Sequence, residues 1–431
     1  MKLLLTVVGL LAATPANALQ PLDEFLRGAR SYSVDNAQAR ATRRQLDATA
    51  DATLGRALPG LSIRGEYIRN QYESVVSLPP PSGGAPTPST LTPYNQLGAS
   101  ATLDVPLLDL GRFARISAAR TQAHASSIDE AATDLRVQSL VSQNYYQLLA
   151  NLALVDSSRR ALEVAAASLR IAEARRDAGT APLLDVDRAR AEVERNVQLV
   201  AGAELQVSLV ARALDSLTGI APVLEAVTLA DDLQEEPALE EFQAPDDRIP
   251  SVAAAIQGRV AAERQTTAER LALVPSLNAS VTERVTNFEG LGGRDNYWQA
   301  VLGLGWSFDL TTLANIRVQS ASAEGARVRE KRARLVARDD IHRAWMTVRT
   351  NIARSKSARV QATVSARAAQ LALSRYEVGE GTQLDLLQAQ REAFNADAAR
   401  IQADADLLNS RAQLRVASGE SLLQPVARAA R

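Results

Sequence analysis

One phrase recurs in this chain at a fixed offset of 200 residues. RRDAGTAPLLDVDRARAE, from Arg175 to Glu192, is answered by RYEVGEGTQLDLLQAQRE, from Arg375 to Glu392. Gly179 matches Gly379, Leu184 matches Leu384, Asp185 matches Asp385, Ala189 matches Ala389 and Glu192 matches Glu392. The register persists to Leu214 with Leu414 and Gly219 with Gly419. Self-similarity at one fixed period marks an internal duplication, so the fold must be assembled from two like halves.

Around the glycines the chain reads as helix. Segments 110–178, 184–218, 250–273, 312–378 and 384–418 are rich in Ala, Leu, Arg, Glu and Gln, with almost no interior Gly or Pro. In 184–218, Val186, Val193, Val200, Val207 and Leu214 fall at strict sevens. Ala189, Ala203, Val210 and Leu217 hold the companion position, and Asn196 is its one polar member. That is a coiled-coil seam. Leu387, Phe394, Ile401 and Leu408 repeat the same step in the last segment. Helices of about 65 residues would run to about 100 Å, far beyond what a globular core needs, so rods are expected.

Between the rods lie four stretches of period two. Leu61, Ile63, Gly65 and Tyr67 alternate with Ser62, Arg64 and Glu66. Leu97, Ala99, Ala101, Leu103 and Val105 alternate with Gly98, Ser100, Thr102 and Asp104. Leu277, Ala279 and Val281 face away from Asn278, Ser280 and Thr282, and Trp298, Ala300, Leu302, Leu304, Trp306 and Phe308 form a last apolar row. Each reads as a strand with one apolar face. They pair as hairpins over about 60–106 and 275–309. The first is joined by SLPPPSGGAPTPSTLTP, Ser77 to Pro93, whose composition predicts neither helix nor strand, and the second by EGLGGRDN, Glu289 to Asn296.

The expected organisation follows. A first repeat, 19–218, and a second, 250–419, each hold a helix, a β-hairpin, a long helix, a glycine turn and a returning helix. An acidic, Pro-containing connector, 219–249, lies between them outside the rods, and 420–431 is a tail. Residues 1–18 read as a signal peptide: Lys2, an apolar run from Leu3 to Ala13, and Ala16-Asn17-Ala18 as the cleavage site. No other segment approaches the roughly 20 apolar residues of a spanning helix, so any membrane crossing falls to strands.

Composition closes off several functions. Lys+Arg number 48 against 49 Asp+Glu, without the basic excess of a nucleic-acid binder. There is no cysteine, hence no disulfide, thiolate metal site or Cys nucleophile. His124 and His342 stand alone, no phosphate-cradling glycine motif follows a strand, and no spacing singles out a catalytic group. We expect neither an enzyme nor a cofactor.

Four strands cannot close a barrel, and lipid does not tolerate an open sheet edge. Yet Tyr67, Tyr72, Tyr94, Tyr297, Trp298 and Trp306 cluster in or beside the strands of a chain only 4% aromatic, as interfacial belts do. Three copies would supply twelve strands, within the range of outer-membrane barrels.

The duplicated layout, the phrase RYEVGEGTQLDLLQAQ and the endings ALDSLTG and QLRVASG resemble the TolC-like outer-membrane efflux family over nearly the whole mature chain. The resemblance implies a mainly α fold with a small β part: a homotrimer whose twelve-stranded barrel sits in outer-membrane lipid on a periplasmic α-helical tunnel. It implies the exit duct of a tripartite efflux pump or type I secretion system, partnered by a periplasmic adaptor and a proton-driven or ABC inner-membrane pump. The alternative is a periplasmic coiled-coil adaptor or rod without a barrel. The family places its turns at periplasmic tips, where the adaptor docks, here Gly179, Thr180, Gly379, Gly381 and Thr382. Its gate uses a Tyr, an Arg and inward-facing Asp residues. Tyr376 matches the Tyr, Asp385 the first Asp, and Asp185 an Asp beside the first turn. Gly381 stands at the Arg position and Gln388 at the second Asp. Asp185 and Asp385 read equally as first-turn carboxylates at helix starts.

Overall fold

Two helices of 68 residues, α3 (Leu110–Asp177) and α7 (Leu310–Glu377), dominate the chain. Both start the same way. Asp109 Oδ1 accepts the backbone N–H of Arg112 at 2.9 Å, and Asp309 Oδ1 accepts that of Thr312 at 2.6 Å. These side chains satisfy N–H groups that the first turn leaves without an intrahelical partner. The computed structural model describes residues 19–78, 86–225, 231–243, 245–289 and 294–423. The expected signal peptide, the Pro/Gly-rich stretch 79–85, the loop 290–293 and tail residues 424–431 lie outside the described residues.

The remaining helices are α1 (Leu22–Tyr32), α2 (Val34–Gly55), α4 (Leu183–Thr218), α5 (Leu239–Phe242), α6 (Pro250–Leu271) and α8 (Gln383–Ala417). The strands are β1 (Gly60–Arg69), β2 (Ser74–Leu78), β3 (Thr87–Thr92), β4 (Asn95–Leu108), β5 (Ser276–Thr286) and β6 (Asn296–Gly305). The chain gathers into two units: the described parts of Met1–Ala41, Ile128–Ala253 and Ala333–Arg431, and Thr42–Ser127 with Ala254–Arg332.

The second of these units holds the sheet. Its four strands run in the order β1-β4-β5-β6, every pair antiparallel, so the two hairpins lie side by side with β4 against β5. Register puts Leu61, Leu103, Val281 and Ala300 on one face, and Ser62, Thr102, Thr282 and Gln299 on the other. The apolar face is uncovered: Ile63 is 78% exposed, Trp298 70% and Leu304 74%. Beneath the sheet, α6 ties α3 to α7. Arg264 bonds Thr121, Arg259 pairs with Glu330, and the Thr266 hydroxyl donates to the Gln319 carbonyl at 3.0 Å.

Two expectations need correction here. Ser77–Pro93 is not wholly loop, because β3 pairs with β2 and places Pro88 opposite Ser77. Each strand of a two-stranded ribbon has an open edge, where a proline's missing N–H costs nothing. Tyr297 pairs with Arg284 and therefore lies on the polar face, not in a lipid-facing belt. Trp298, opposite Glu283, keeps to the apolar face with Tyr67. Trp306 follows β6 and donates to the Leu273 carbonyl at 3.0 Å, while Tyr72 and Tyr94 sit beyond the four-stranded sheet.

The first unit is helical. Phe25 and Leu26 of α1 are buried with Val137, Val141 and Leu148 of α3 and with Val207 and Leu214 of α4. The α4 seam reads as expected, with Val186, Ala189, Asn196, Ala203, Val207 and Leu214 all buried. By composition α4 also holds a window apolar enough to cross a membrane, with mean hydropathy 1.3, contrary to expectation. Only part of that apolar content is the coiled-coil seam: Ala203, Val207 and Leu214 are buried, while Val197, Leu205 and Leu209 are exposed.

Charged side chains join helices both between the hairpins and within the second. Glu192 on α4, 3% exposed, receives Arg391 of α8 at 2.6 and 2.8 Å and Arg195 at 2.7 and 2.9 Å. On α8, Asp397 accepts from Ser157 of α3 at 2.6 Å, and buried Asp404 accepts from Ser355 and Arg359 of α7. The acidic connector is strapped onto these helices. Arg411 of α8 binds Asp231 at 3.0 Å, Glu236, and the Gln234 carbonyl. Arg359 donates to the Asp231 carbonyl, Trp345 to that of Pro237, and Phe242 is 2% exposed.

Burial pushes the Glu192 carboxyl up, but hydrogen bonds from Arg195 and Arg391 outweigh it and hold the group below the usual carboxylate range. Such a group adds stability above its unfolded pKa, about 4.3, that is lost as pH falls through the lower folded value. Glu192→Gln should therefore cost about 2–4 kcal/mol at neutral pH and flatten the acid limb of the stability profile. Thermal melts from pH 3 to 7 check it; parallel profiles for the two proteins would contradict the assignment.

Candidate functional site

The two glycine turns close by the same hydrogen bonds. At the first, Gly179 N donates to Arg176 O at 2.9 Å and Thr180 N to Arg175 O at 2.8 Å. At the second, Gly379 N donates to Tyr376 O at 3.1 Å and Glu380 N to Arg375 O at 2.8 Å. This paired pattern ends a helix only when the residue after it is left-handed; φ is +72° at Gly179 and +86° at Gly379. Gly381 is needed for room instead, since a Cβ there would sit 3.2 Å from Tyr376 N.

The returning helices start differently. Pro182 precedes α4 without a side-chain cap, whereas Thr382 Oγ1 accepts the Asp385 N–H at 3.1 Å and donates to Asp385 Oδ2 at 2.8 Å. Asp385 is thus a first-turn carboxylate, exposed, at the positive end of α8. Asp185 is half-buried and lies 3.7 Å from Arg188, while exposed Gln388 donates to Glu392 at 3.0 Å. Among the described residues no hydrogen bond or ion pair joins Asp185, Asp385 and Gln388 to one another.

Tyr376 is the residue that brings the tips together. It is 2% exposed, and Arg175 of α3 lies over its ring at 4.7 Å while donating to its carbonyl. A guanidinium over an aromatic face is attracted by about 0.5–2 kcal/mol. Burial raises the phenol's pKa; the Arg175 charge opposes this and the Asp185 carboxylate adds to it. The Tyr376 hydroxyl and both polar atoms of the Gln383 amide, also 2% exposed, are buried without a hydrogen-bond partner among the described residues. Sequence reasoning passed over Arg175 and Gln383. The available signal was an arginine in the last turn of α3, standing where the repeat puts an aromatic's neighbour, Arg375, on α7. No group of three His, Asp or Glu side chains among the described residues could hold a metal ion.

The chain matches the family model described as outer membrane efflux protein over residues 26–220 and 246–420. No curated protein matches it. Its fold is similar to the outer-membrane channel OprN, at 21% identity and TM-score 0.79, covering 94% of this chain and 91% of that one. It is also similar to the outer membrane protein VceC of Vibrio cholerae, at 17% identity and TM-score 0.77, covering 93% and 96%. The outer membrane channel MtrE of Neisseria gonorrhoeae, solved in its open state, shares 20% identity at TM-score 0.75, covering 94% and 90%. With both repeats matched, the first from residue 26, and paired glycine tips at the ends of both long helices, this chain belongs to the outer membrane efflux protein family.

Proposed function

We propose that three copies of this chain close into a twelve-stranded outer-membrane barrel, the exit duct of a tripartite efflux pump or type I secretion system. The observation that carries this reading is a four-stranded sheet with an uncovered apolar face, whose outer strands β1 and β6 each pair on one side only among the described residues. Residues 1–18 direct export and are cleaved after Ala18, leaving Leu19, which packs 6% exposed into the helical core. The duct conducts passively, without a catalytic group or cofactor of its own. A periplasmic adaptor docks at the tips formed by Gly179, Thr180, Gly379, Gly381 and Thr382, and an inner-membrane pump supplies the energy. Purified protein should form discrete channels in planar bilayers and migrate differently before and after heating; a water-soluble protein that never conducts would favour the barrel-free rod.

The tips are the gate in this reading. Arg175 on Tyr376 takes the place of the arginine that Gly381 leaves out, pinning the ends of α3 and α7 together within one chain. Arg175→Ala should raise open probability by about threefold or more, the size of a cation–π contact. Tyr376→Phe keeps the ring under the guanidinium and should open the channel less. Single-channel recording of both variants decides: equal effects would remove the guanidinium–ring contact as the latch.

Asp385 from three chains would gather like charges around one axis and attract polyvalent cations. Asp385→Asn should weaken block by divalent or trivalent cations by about tenfold, since each added charge pair is worth on the order of 1–4 kcal/mol. A concentration series in the same bilayers measures this, and undiminished block removes Asp385 from the pore.

A further inference from the structure

The polar face of the sheet has so far served only to define the other face, yet its charges are ordered by row. Arg64 pairs with Ser100, Ser100 with Arg284, and Arg284 with Tyr297, so two guanidiniums share one row across β1, β4, β5 and β6. On one side lies an uncharged row of Ser62, Thr102, Thr282 and Gln299, in which the two threonine hydroxyls hydrogen-bond at 3.0 Å. On the other side Glu66 leans toward Arg284, its Oε1 3.5 Å from Nη2. Gly98, opposite Glu66, permits this, because a Cβ there would lie 3.2 Å from Glu66 Cγ. Asp104, the face's other carboxylate, is two rows away from the arginines, opposite Gly60.

These residues surround a shallow cavity of about 360 Å³, lined by Ser62, Arg64, Glu66, Ser100, Thr102 and Arg284. Glu66 balances one guanidinium of the row. Arg64 is exposed and makes no hydrogen bond or ion pair among the described residues. Each chain therefore offers one uncompensated, fork-shaped cation beside hydroxyls, the donor set that recognises carboxylates, sulfonates and phosphates.

We infer that this row is an anion-binding girdle on the inner wall of the barrel, setting which charged solutes leave easily. The inference rests on the exit-duct reading, in which the polar face lines the duct. Three chains then bring six guanidiniums and three Glu66 carboxylates into one band, an excess of three positive charges. The uncharged Ser62–Thr102 row and the Asp104 carboxylates beyond it keep the band narrow, so an anion meets a local well and not a uniformly positive channel.

The probe is inositol hexakisphosphate added from the barrel side of a planar bilayer, with wild type, Arg64→Gln, the pair Arg64→Gln/Arg284→Gln, and Glu66→Gln. The girdle predicts block in wild type that weakens about tenfold in the pair, in line with losing a charge-assisted hydrogen bond. Glu66→Gln should tighten it. Arg64→Gln alone should weaken block about threefold, a partial share of that loss. Its side chain holds nothing else in place, so this variant decides if the pair fails to show heat-modifiable migration. Conducting channels whose barrel-side block is the same in wild type and Arg64→Gln overturn the girdle and leave the duct standing. A wild-type protein that never conducts overturns both.

Discussion

The structure depends on a sheet that one chain cannot finish. Its apolar face is bare, so water is the wrong solvent for it, and the backbone groups at the outer edges of β1 and β6 have no partner within the sheet. In lipid each such group would cost several kcal/mol. Because the strands alternate strictly in direction, β6 of one copy presents itself antiparallel to β1 of another, the pairing the interior strands already use. Closure by further copies is the arrangement that satisfies both faces and both edges at once.

The helices serve that sheet by resolving the duplication unevenly. The strands that meet at its centre, β4 and β5, come from different repeats, and Asp109 and Asp309 launch the two long helices alike. The acidic connector, however, binds to the second hairpin, through Arg411 and Arg359. Glu192 and Asp397 then bridge the hairpins with charged hydrogen bonds where a purely apolar seam would let helices slide, and Asp404 ties α8 to α7 within the second hairpin. The start of the strap, at Ala221 and Val223, is held by Gln20 of the first repeat, and its acidic stretch clasps the second.

What was legible in the sequence was local. Helix bounds fell within two residues of expectation because composition, heptads and glycine caps act over a few turns, and strand faces followed from alternation. What escaped depended on distant partners. Glu192 meets a residue 199 positions away and Arg175 meets one 201 away, so neither stands out in a reading by neighbours. Tyr297 looked like a belt residue because it adjoins Trp298, but a strand sends successive side chains to opposite faces, and only register shows which. The β2–β3 ribbon was hidden by Pro88, whose cost vanishes at an open edge.

The Arg175–Tyr376 contact also has a consequence for symmetry. The repeat gives each chain two tips of nearly equal backbone shape, so a ring of three chains approximates sixfold order at that end. One tip lends its arginine and starts its next helix at an uncapped Pro182; the other receives that arginine and starts at Thr382, capped by its own hydroxyl. A partner built as six identical subunits would therefore meet two chemically distinct seats in alternation. It could fit them equally only where it reads backbone and not side chains.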